Sequence, residues 1–191
     1  MVSRTHDAFA FASLVSVAAF FPLPAMNLGT AICAVIAADA GAAVPDMDTA
    51  GNRLWEMLPQ GDKIGKILRN VFYKHRTFTH SIIGVFTLYK FFEWILPKFL
   101  NSQFIDHHVI LWSIMIGIVS HLVSDSLTEE GIPLFFPLRF TFGMPPVRQM
   151  RIKTGHWFEH FVVYPGIWAY VIWLVFSKET VLLGILRGLT R

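Results

Sequence analysis

Five apolar segments constrain the fold more than any other feature of this sequence. They cover residues 8–21, 27–44, 79–96, 109–127 and 158–176. The first is short, but the last four have 18 or 19 residues, close to the ~20 that an α-helix needs to cross a bilayer. Only 15% of the residues are charged and 54% are hydrophobic, whereas roughly 25% are charged in a typical soluble domain. The sequence therefore predicts one all-α domain, residues 1–191, an integral membrane helical bundle of about five membrane-embedded helices.

The segments outside these helices carry weaker signals. The tail, residues 178–191, is apolar with sparse arginines, which predicts an interfacial helix or an extension of the fifth helix. Pro165 predicts a kink in that helix. The N-terminal run has no convincing cleavage site, so we expect it to be retained. The net charge of +3, in so apolar a chain, favours basic loops at a membrane face and no nucleic-acid partner.

Polar clusters lie at one end of each apolar segment. Consecutive spans alternate in direction, so all five ends fall on the same side of the membrane. Most of the 16 Lys and Arg residues lie on this side, and the positive-inside rule places it in the cytoplasm, at a bacterial-type inner membrane. The same alternation places His107 and His108 on the opposite face. The clusters contain His6, the "PDMD" of residues 45–48, the "HRTFTH" of residues 75–80, the "SHLVSD" of residues 120–125 and the "TGHWFEH" of residues 154–160.

These clusters hold the residue types that bind metal ions. One catalytic zinc takes three protein ligands and a water, so eight candidates predict two or three ions. The mixture of imidazole and carboxylate favours zinc, with manganese or iron as alternatives. His75 and His80 are five positions apart, so on one regular helix their side chains would diverge by ~140°. We therefore expect His75 in a loop and His80 in the first helical turn, with Thr77 or Thr79 near the N-cap. The candidate ligands are His6, Asp46, Asp48, His75, His80, His121, Asp125 and Glu159.

The same groups suit hydrolysis of a phosphoester. Clustered ions stabilise the attacking and leaving oxygens and activate a water. Asp46, Asp48 or Glu159 could serve as the base instead of a ligand, and Arg76 could hold the phosphate. An arginine at this position is equally typical of a positive-inside loop.

The motifs also resemble those of a known family, the YdjM-like membrane-bound metal-dependent hydrolases. The resemblance covers most of the chain and implies hydrolytic activity. A distant similarity of that family to the phospholipase C and P1 nuclease group implies phosphoester substrates by analogy. The family often has His after the "PDxD" motif, where this chain has Thr49; His156 or His160 could replace that ligand. The matching elements are His6, Pro45-Asp46-x-Asp48, His75-Arg76-x-x-Thr79-His80-Ser81, His121-x3-Asp125-x2-Thr128-x2-Gly131, Pro137 and Gly155-x3-Glu159.

The prediction is therefore a membrane-bound metal-dependent hydrolase acting on a lipid or lipid-linked phosphoester. The aromatic loop of residues 131–146 is interpreted either as packing on the bundle or as an interfacial loop over the site. The alternative function is a non-catalytic metal-binding or metal-transport protein, which should place its ligands near mid-span. Only Asp39 lies that deep. A scaffold with a stabilising metal is a third possibility, and the oligomeric state is left open.

Overall fold

The computed structural model describes residues 1–21, 26–47, 78–138 and 140–189. Besides turns and irregular segments, the described part contains helices and two isolated β-bridges, Thr128 with Ile152 and Ile132 with Phe142. A 3₁₀ turn covers Arg148–Met150 and a π-helical turn covers Glu159–Val163. The α-helices are α1 (Ser3–Phe20), α2 (Leu28–Ala43), α3 (Ile82–Phe99), α4 (His107–Ser126), α5 (Tyr164–Ser177) and α6 (Glu179–Leu189).

Helix α4 is the centre of the bundle. It contacts α1, α2 and α3, and most of its residues are buried. Its closest neighbour is α2, because glycines face each other where the helices cross. A Cβ on Gly117 would meet the Ala38 carbonyl oxygen and would lie 2.7 Å from the Ala42 nitrogen, and a Cβ on Gly41 would meet the Ile114 carbonyl oxygen. Small residues at such a crossing allow the two backbones to touch.

Two of the described helical segments are long and apolar enough to cross a membrane. These are His107–Ser126, which is α4, and Glu159–Ser177, which joins the π-helical turn to α5. Helix α2 is apolar but shorter, and α3 has the length but carries Lys90, Glu93 and Lys98. The all-helical fold is thus confirmed for the described residues, which include two candidate membrane spans. The bundle of about five membrane-embedded helices stays a prediction.

The outer faces of α3 and α5 are strongly apolar. Phe86 and Trp94 of α3 are each 60% exposed, and Ile172 and Phe176 of α5 are also exposed. Large exposed apolar surfaces of this kind mark contacts with a membrane or with other proteins. They accord with a bundle surrounded by lipid.

Helix boundaries correct two expectations about the histidines. Helix α1 begins at Ser3, so His6 lies inside its first turns and not before it. Ser81 is the N-cap of α3, and its Oγ accepts a hydrogen bond from Gly84 N at 3.1 Å. His80 therefore lies in the turn before α3, and the prediction that it occupies the first helical turn is wrong. The reason is that Ser81, a favoured N-cap residue, caps the helix, so the helix starts at Ile82 and Thr79 lies two residues before the cap.

The C-terminal segments also refine the prediction. Pro165 lies in the first turn of α5, directly after the π-helical turn, so the expected irregularity takes the form of a wider turn. Lys178 leaves the helical backbone region, with φ −118° and ψ 24°. The tail consequently forms the separate helix α6 and does not extend α5. Its position relative to the membrane stays a prediction.

Candidate functional site

Five of the predicted metal ligands meet at one end of the bundle. His6 comes from α1, Asp46 from the turn after α2, His80 from the turn before α3, and His121 and Asp125 from the last turns of α4. They form two overlapping groups whose possible ligand atoms lie within 4.8 Å of one another: His6, His121 and Asp125, and Asp46, His80 and His121. The antiparallel arrangement predicted from the sequence thus brings together residues that are far apart along the chain.

The distances within the second group fit one metal ion. Asp46 Oδ1 lies 3.4 Å from His80 Nε2 and 3.6 Å from His121 Nε2. Ligands around a tetrahedral zinc with bonds of ~2.0–2.2 Å lie roughly 3.3–3.6 Å apart. Within the described part of the chain, Asp46 Oδ1 and His121 Nε2 are buried without a hydrogen bond. A buried polar atom of this kind is costly unless something binds it, and a cation would satisfy both atoms.

Asp125 connects the two groups. Its Oδ2 lies 3.6 Å from His121 Nε2 and 3.8 Å from His80 Nε2. Its Oδ1 lies 3.3 Å from His6 Nε2 and accepts a hydrogen bond from the Met1 amine at 2.8 Å. The side chain has no solvent exposure. One carboxylate therefore faces both groups, with a different oxygen directed to each.

The orientation of His121 follows from its contact with α2. Its Nδ1 lies 2.6 Å from the Ala42 carbonyl oxygen. A carbonyl can only accept, so Nδ1 carries the proton and the lone pair of Nε2 faces the cluster. Metal-binding histidines usually have such a partner on the other ring nitrogen. The close crossing of α2 and α4 is what brings the Ala42 carbonyl within reach.

His6 is fixed by a similar chain of hydrogen bonds. Ser124 Oγ donates to the His121 carbonyl at 2.8 Å, and it lies 2.7 Å from His6 Nδ1. His6 Nε2 in turn lies 3.1 Å from the Met1 carbonyl oxygen and 3.3 Å from Asp125 Oδ1, so both ring nitrogens have partners and the ring is held from two sides. The His6 ring also stacks on the His121 ring, with centroids 4.0 Å apart. The sequence analysis did not single out Ser124. Its position three residues after His121 in the same helix is the sequence signal that could have identified it.

The shared histidine limits how many ions the described residues can hold. With Nδ1 bonded to Ala42, His121 offers a single nitrogen, and one nitrogen binds one ion. Only one group at a time can therefore have all three of its ligands. A second ion would have His6 and one oxygen of Asp125, and would need further ligands. The predicted two or three ions stay a prediction.

The protonation states of Asp46 and His80 suit a bound cation. Burial raises the pKa of Asp46, but the neighbouring His80 and His121 outweigh burial and lower the pKa to about 2. Burial also lowers the pKa of His80 below its ordinary 6.5, although Asp46 and Asp125 oppose this shift. At neutral pH the carboxylate is therefore ionised and the imidazole neutral. These are the forms that bind metal.

Glu159 belongs to neither group. Its Oε1 accepts a hydrogen bond from Val2 N and its Oε2 accepts one from Gly155 N, both at 2.7 Å. The side chain is fully buried, and Gly155 has a φ of +74°, which favours glycine. Glu159 thus holds the start of the chain against the turn before α5. Its assignment as a ligand or base stays a prediction.

The other predicted residues either fall outside the described part of the chain or belong to neither group. Asp48, His75 and Arg76 are outside the described residues, as is Thr49. His107 and His108 start α4, at the end opposite His121, and neither metal-binding group contains them. His156 and His160 are likewise absent from both groups; the Nδ1 of His160 lies 2.9 Å from Arg4 Nη2.

Comparisons with known proteins agree with the motif resemblance. The family model described as YdjM inner membrane protein matches residues 1–187. The chain is 29% identical to the uncharacterized protein YvsG of Bacillus subtilis over 85% of this chain and 88% of that protein. It is 30% identical to the inner membrane protein YdjM of Escherichia coli over 70% of this chain and 62% of that protein. No solved structure gives a significant match, and a relation to the phospholipase C and P1 nuclease group is not shown. The chain belongs to the YdjM family of inner membrane proteins.

Proposed function

We propose that this protein is a metal-dependent hydrolase of the inner membrane, acting on a lipid or lipid-linked phosphoester at the cytoplasmic face. The observation that supports it most is the pair of overlapping three-residue groups, buried at the ends of the helices and joined by His121. Ionisable groups in such surroundings are costly and are usually retained for function. The alternation of apolar segments along the sequence assigns most Lys and Arg residues to this side, and the positive-inside rule is the basis for the cytoplasmic orientation that we propose.

Asp46, His80 and His121 are the proposed ligands of the better-formed site. When bound there, a divalent ion would polarise a phosphoryl oxygen and lower the pKa of a water. The chain's own residues hold the geometry: Ala42 orients His121, and Ser124 orients His6. His80 and His121 are almost fully buried, whereas the Asp46 side chain is 33% exposed. We therefore infer that substrate approaches from the Asp46 side.

The hydrogen bonds of Glu159 narrow the choice of base. Both of its oxygens accept backbone N–H groups, so using either as a base would break a buried hydrogen bond. Of the three carboxylates considered, Asp48 is then the better candidate for the base, because Asp46 is already a proposed ligand. Arg76 is the proposed phosphate-binding residue, because a guanidinium can form two parallel hydrogen bonds with a phosphate.

The test is metal analysis of the purified protein followed by assays on phospholipids and on a soluble phosphodiester. We expect bound divalent metal and hydrolysis that chelation abolishes and added zinc or manganese restores. His121→Ala should lose both, while the matched control His107→Ala, from the other end of the same helix, should lose neither. Stoichiometric metal with no hydrolysis of any phosphoester would refute the enzyme and favour a non-catalytic metal protein. A vesicle flux assay would then separate a carrier from a structural metal site.

A further inference from the structure

An apolar groove runs between α3 and α4 beside the candidate metal site. Its volume is about 480 Å³, within the roughly 300–1,000 Å³ of typical ligand pockets. Met115, Leu122 and Ile132 form a buried floor. Val119 and Val123, which are 47% and 44% exposed, lie at the rim. The groove is therefore open along its side, on the surface of the bundle.

The lining of the groove reaches the end of the bundle that carries the candidate metal site. Of its lining residues, Leu122 follows His121 directly, Ser126 follows Asp125 directly, and Ile82 is two residues after His80. The Ile82 N–H donates to the Leu134 carbonyl at 3.0 Å, which ties the loop after α4 to the start of α3 at this end. Among the described residues that line the groove, Ser126, which follows Asp125 in the chain, and Tyr89 are the ones with a polar side chain. A ligand in the groove would thus lie in apolar surroundings, with one end at the same end of the bundle as the cluster.

The length of the groove fits one leaflet of a bilayer. Along α4 it extends from Met115 to Ser126, which is ~16 Å at the helical rise per residue. The hydrocarbon core of a bilayer is ~30 Å thick, so the acyl chains of one leaflet cover ~15 Å. Because α4 is itself a candidate membrane span, a chain lying along it would reach from the interface to about the bilayer centre.

We propose that this groove holds one acyl chain of a phospholipid, with the ester-linked phosphate at the metal site. The groove admits the chain laterally from the surrounding leaflet, so the lipid need not leave the membrane. The substrate class is then a long-chain phospholipid and not a soluble phosphoester. Binding of the chain stands on the groove itself, whereas its part in catalysis rests on the proposed function.

The experiment fills the groove and measures lipid binding and hydrolysis separately. Val119→Trp and, independently, Val123→Trp place an indole at the rim. Ile172→Trp, on the exposed face of α5 at 56% exposure, is the matched control for adding an indole to a lipid-facing surface. Native mass spectrometry in detergent measures binding of a long-chain phosphatidylglycerol. Hydrolysis of that lipid and of bis(p-nitrophenyl) phosphate is measured on the same metal-loaded samples, and size exclusion gives the oligomeric state.

We expect each groove variant to bind the phosphatidylglycerol about tenfold more weakly or worse, since losing burial of even two methylenes has that effect. Both variants should lose lipid hydrolysis but keep metal and hydrolysis of the soluble diester. Lipid binding equal to that of Ile172→Trp would overturn the proposal. So would a change from dimer to monomer at unchanged lipid affinity, which would show that a second copy covers the groove. If neither the unmodified protein nor any variant hydrolyses either compound, the proposed function fails. The lipid-binding data alone then test whether the groove holds an acyl chain.

Discussion

The crossing of α2 and α4 gives the sharpest test of how the site is built. In Gly117→Ala the new methyl group would meet the Ala38 carbonyl oxygen and lie 2.7 Å from the Ala42 nitrogen and 2.9 Å from the Gly41 carbonyl carbon. These are backbone atoms, so the helices must move apart. Overpacking of this kind costs ~1–3 kcal/mol. For a chain of this size each kcal/mol lowers the Tm by about 2–4 °C, so we expect a Tm lower by roughly 2–12 °C.

The same movement should weaken metal binding. It would draw the Ala42 carbonyl away from His121 Nδ1, a contact of 2.6 Å, and losing a partner that orients a metal-binding histidine typically costs 10–100-fold in affinity. The assays are thermal unfolding in detergent and zinc titration. Gly166→Ala is the control, since a Cβ there meets nothing within 4 Å. If both variants bind zinc equally tightly, the site does not depend on this helix crossing and the reasoning is wrong.

Four further outcomes test individual residues. Elemental analysis should find metal lost from His121→Ala and retained in His107→Ala. Glu159→Gln should lower the free energy of unfolding by ~1–3 kcal/mol, because one buried acceptor is lost, yet leave metal content unchanged; loss of metal would make Glu159 a ligand. Arg76→Ala should keep its metal and raise KM for an anionic substrate, and stripping of the metal would contradict the role given to this arginine. Burial lowers the pKa of His80 below 6.5, so at a pH just below 6.5 this imidazole is protonated in the unfolded chain but not in the folded one. The metal-free protein should therefore lose stability as pH falls below 6.5. Its Tm should decline less with falling pH in His80→Gln, and equal slopes of Tm against pH would contradict this.

The sequence was informative wherever helix direction alone decides position. Alternation of apolar segments predicts that His6, Asp46, His80, His121 and Asp125 share one end of the bundle, and the structure places them there. It also separates His107 and His108 from the site without any knowledge of side-chain contacts. The family, too, could be identified from motif residues at these helix ends.

The sequence could not predict what depends on backbone contacts between helices. The carbonyl of Ala42 orients His121, and any residue would supply the same carbonyl, so no side chain signals it. Glu159 likewise lies outside the two candidate metal-binding groups, where its carboxylate accepts hydrogen bonds from the backbone N–H groups of Val2 and Gly155. The sequence could place the N-cap of α3 only near Thr77 or Thr79, because these residues and Ser81 are all acceptable caps; in the structure Ser81 caps the helix, after the turn at Phe78. Tertiary packing determines these contacts, and the sequence pattern does not show them.

Dependence of His121 on a carbonyl from a different helix has a consequence for assembly in the membrane. Helices that are inserted but not yet packed would lack both the orienting contact and the convergence of ligands from separate elements. Metal would then bind the assembled bundle in preference to the loose helices, and by mass action each bound ion would favour assembly. Scarcity of metal would therefore lower the amount of packed protein in the membrane, and pulse-chase turnover in chelated medium would register the difference as a shorter lifetime.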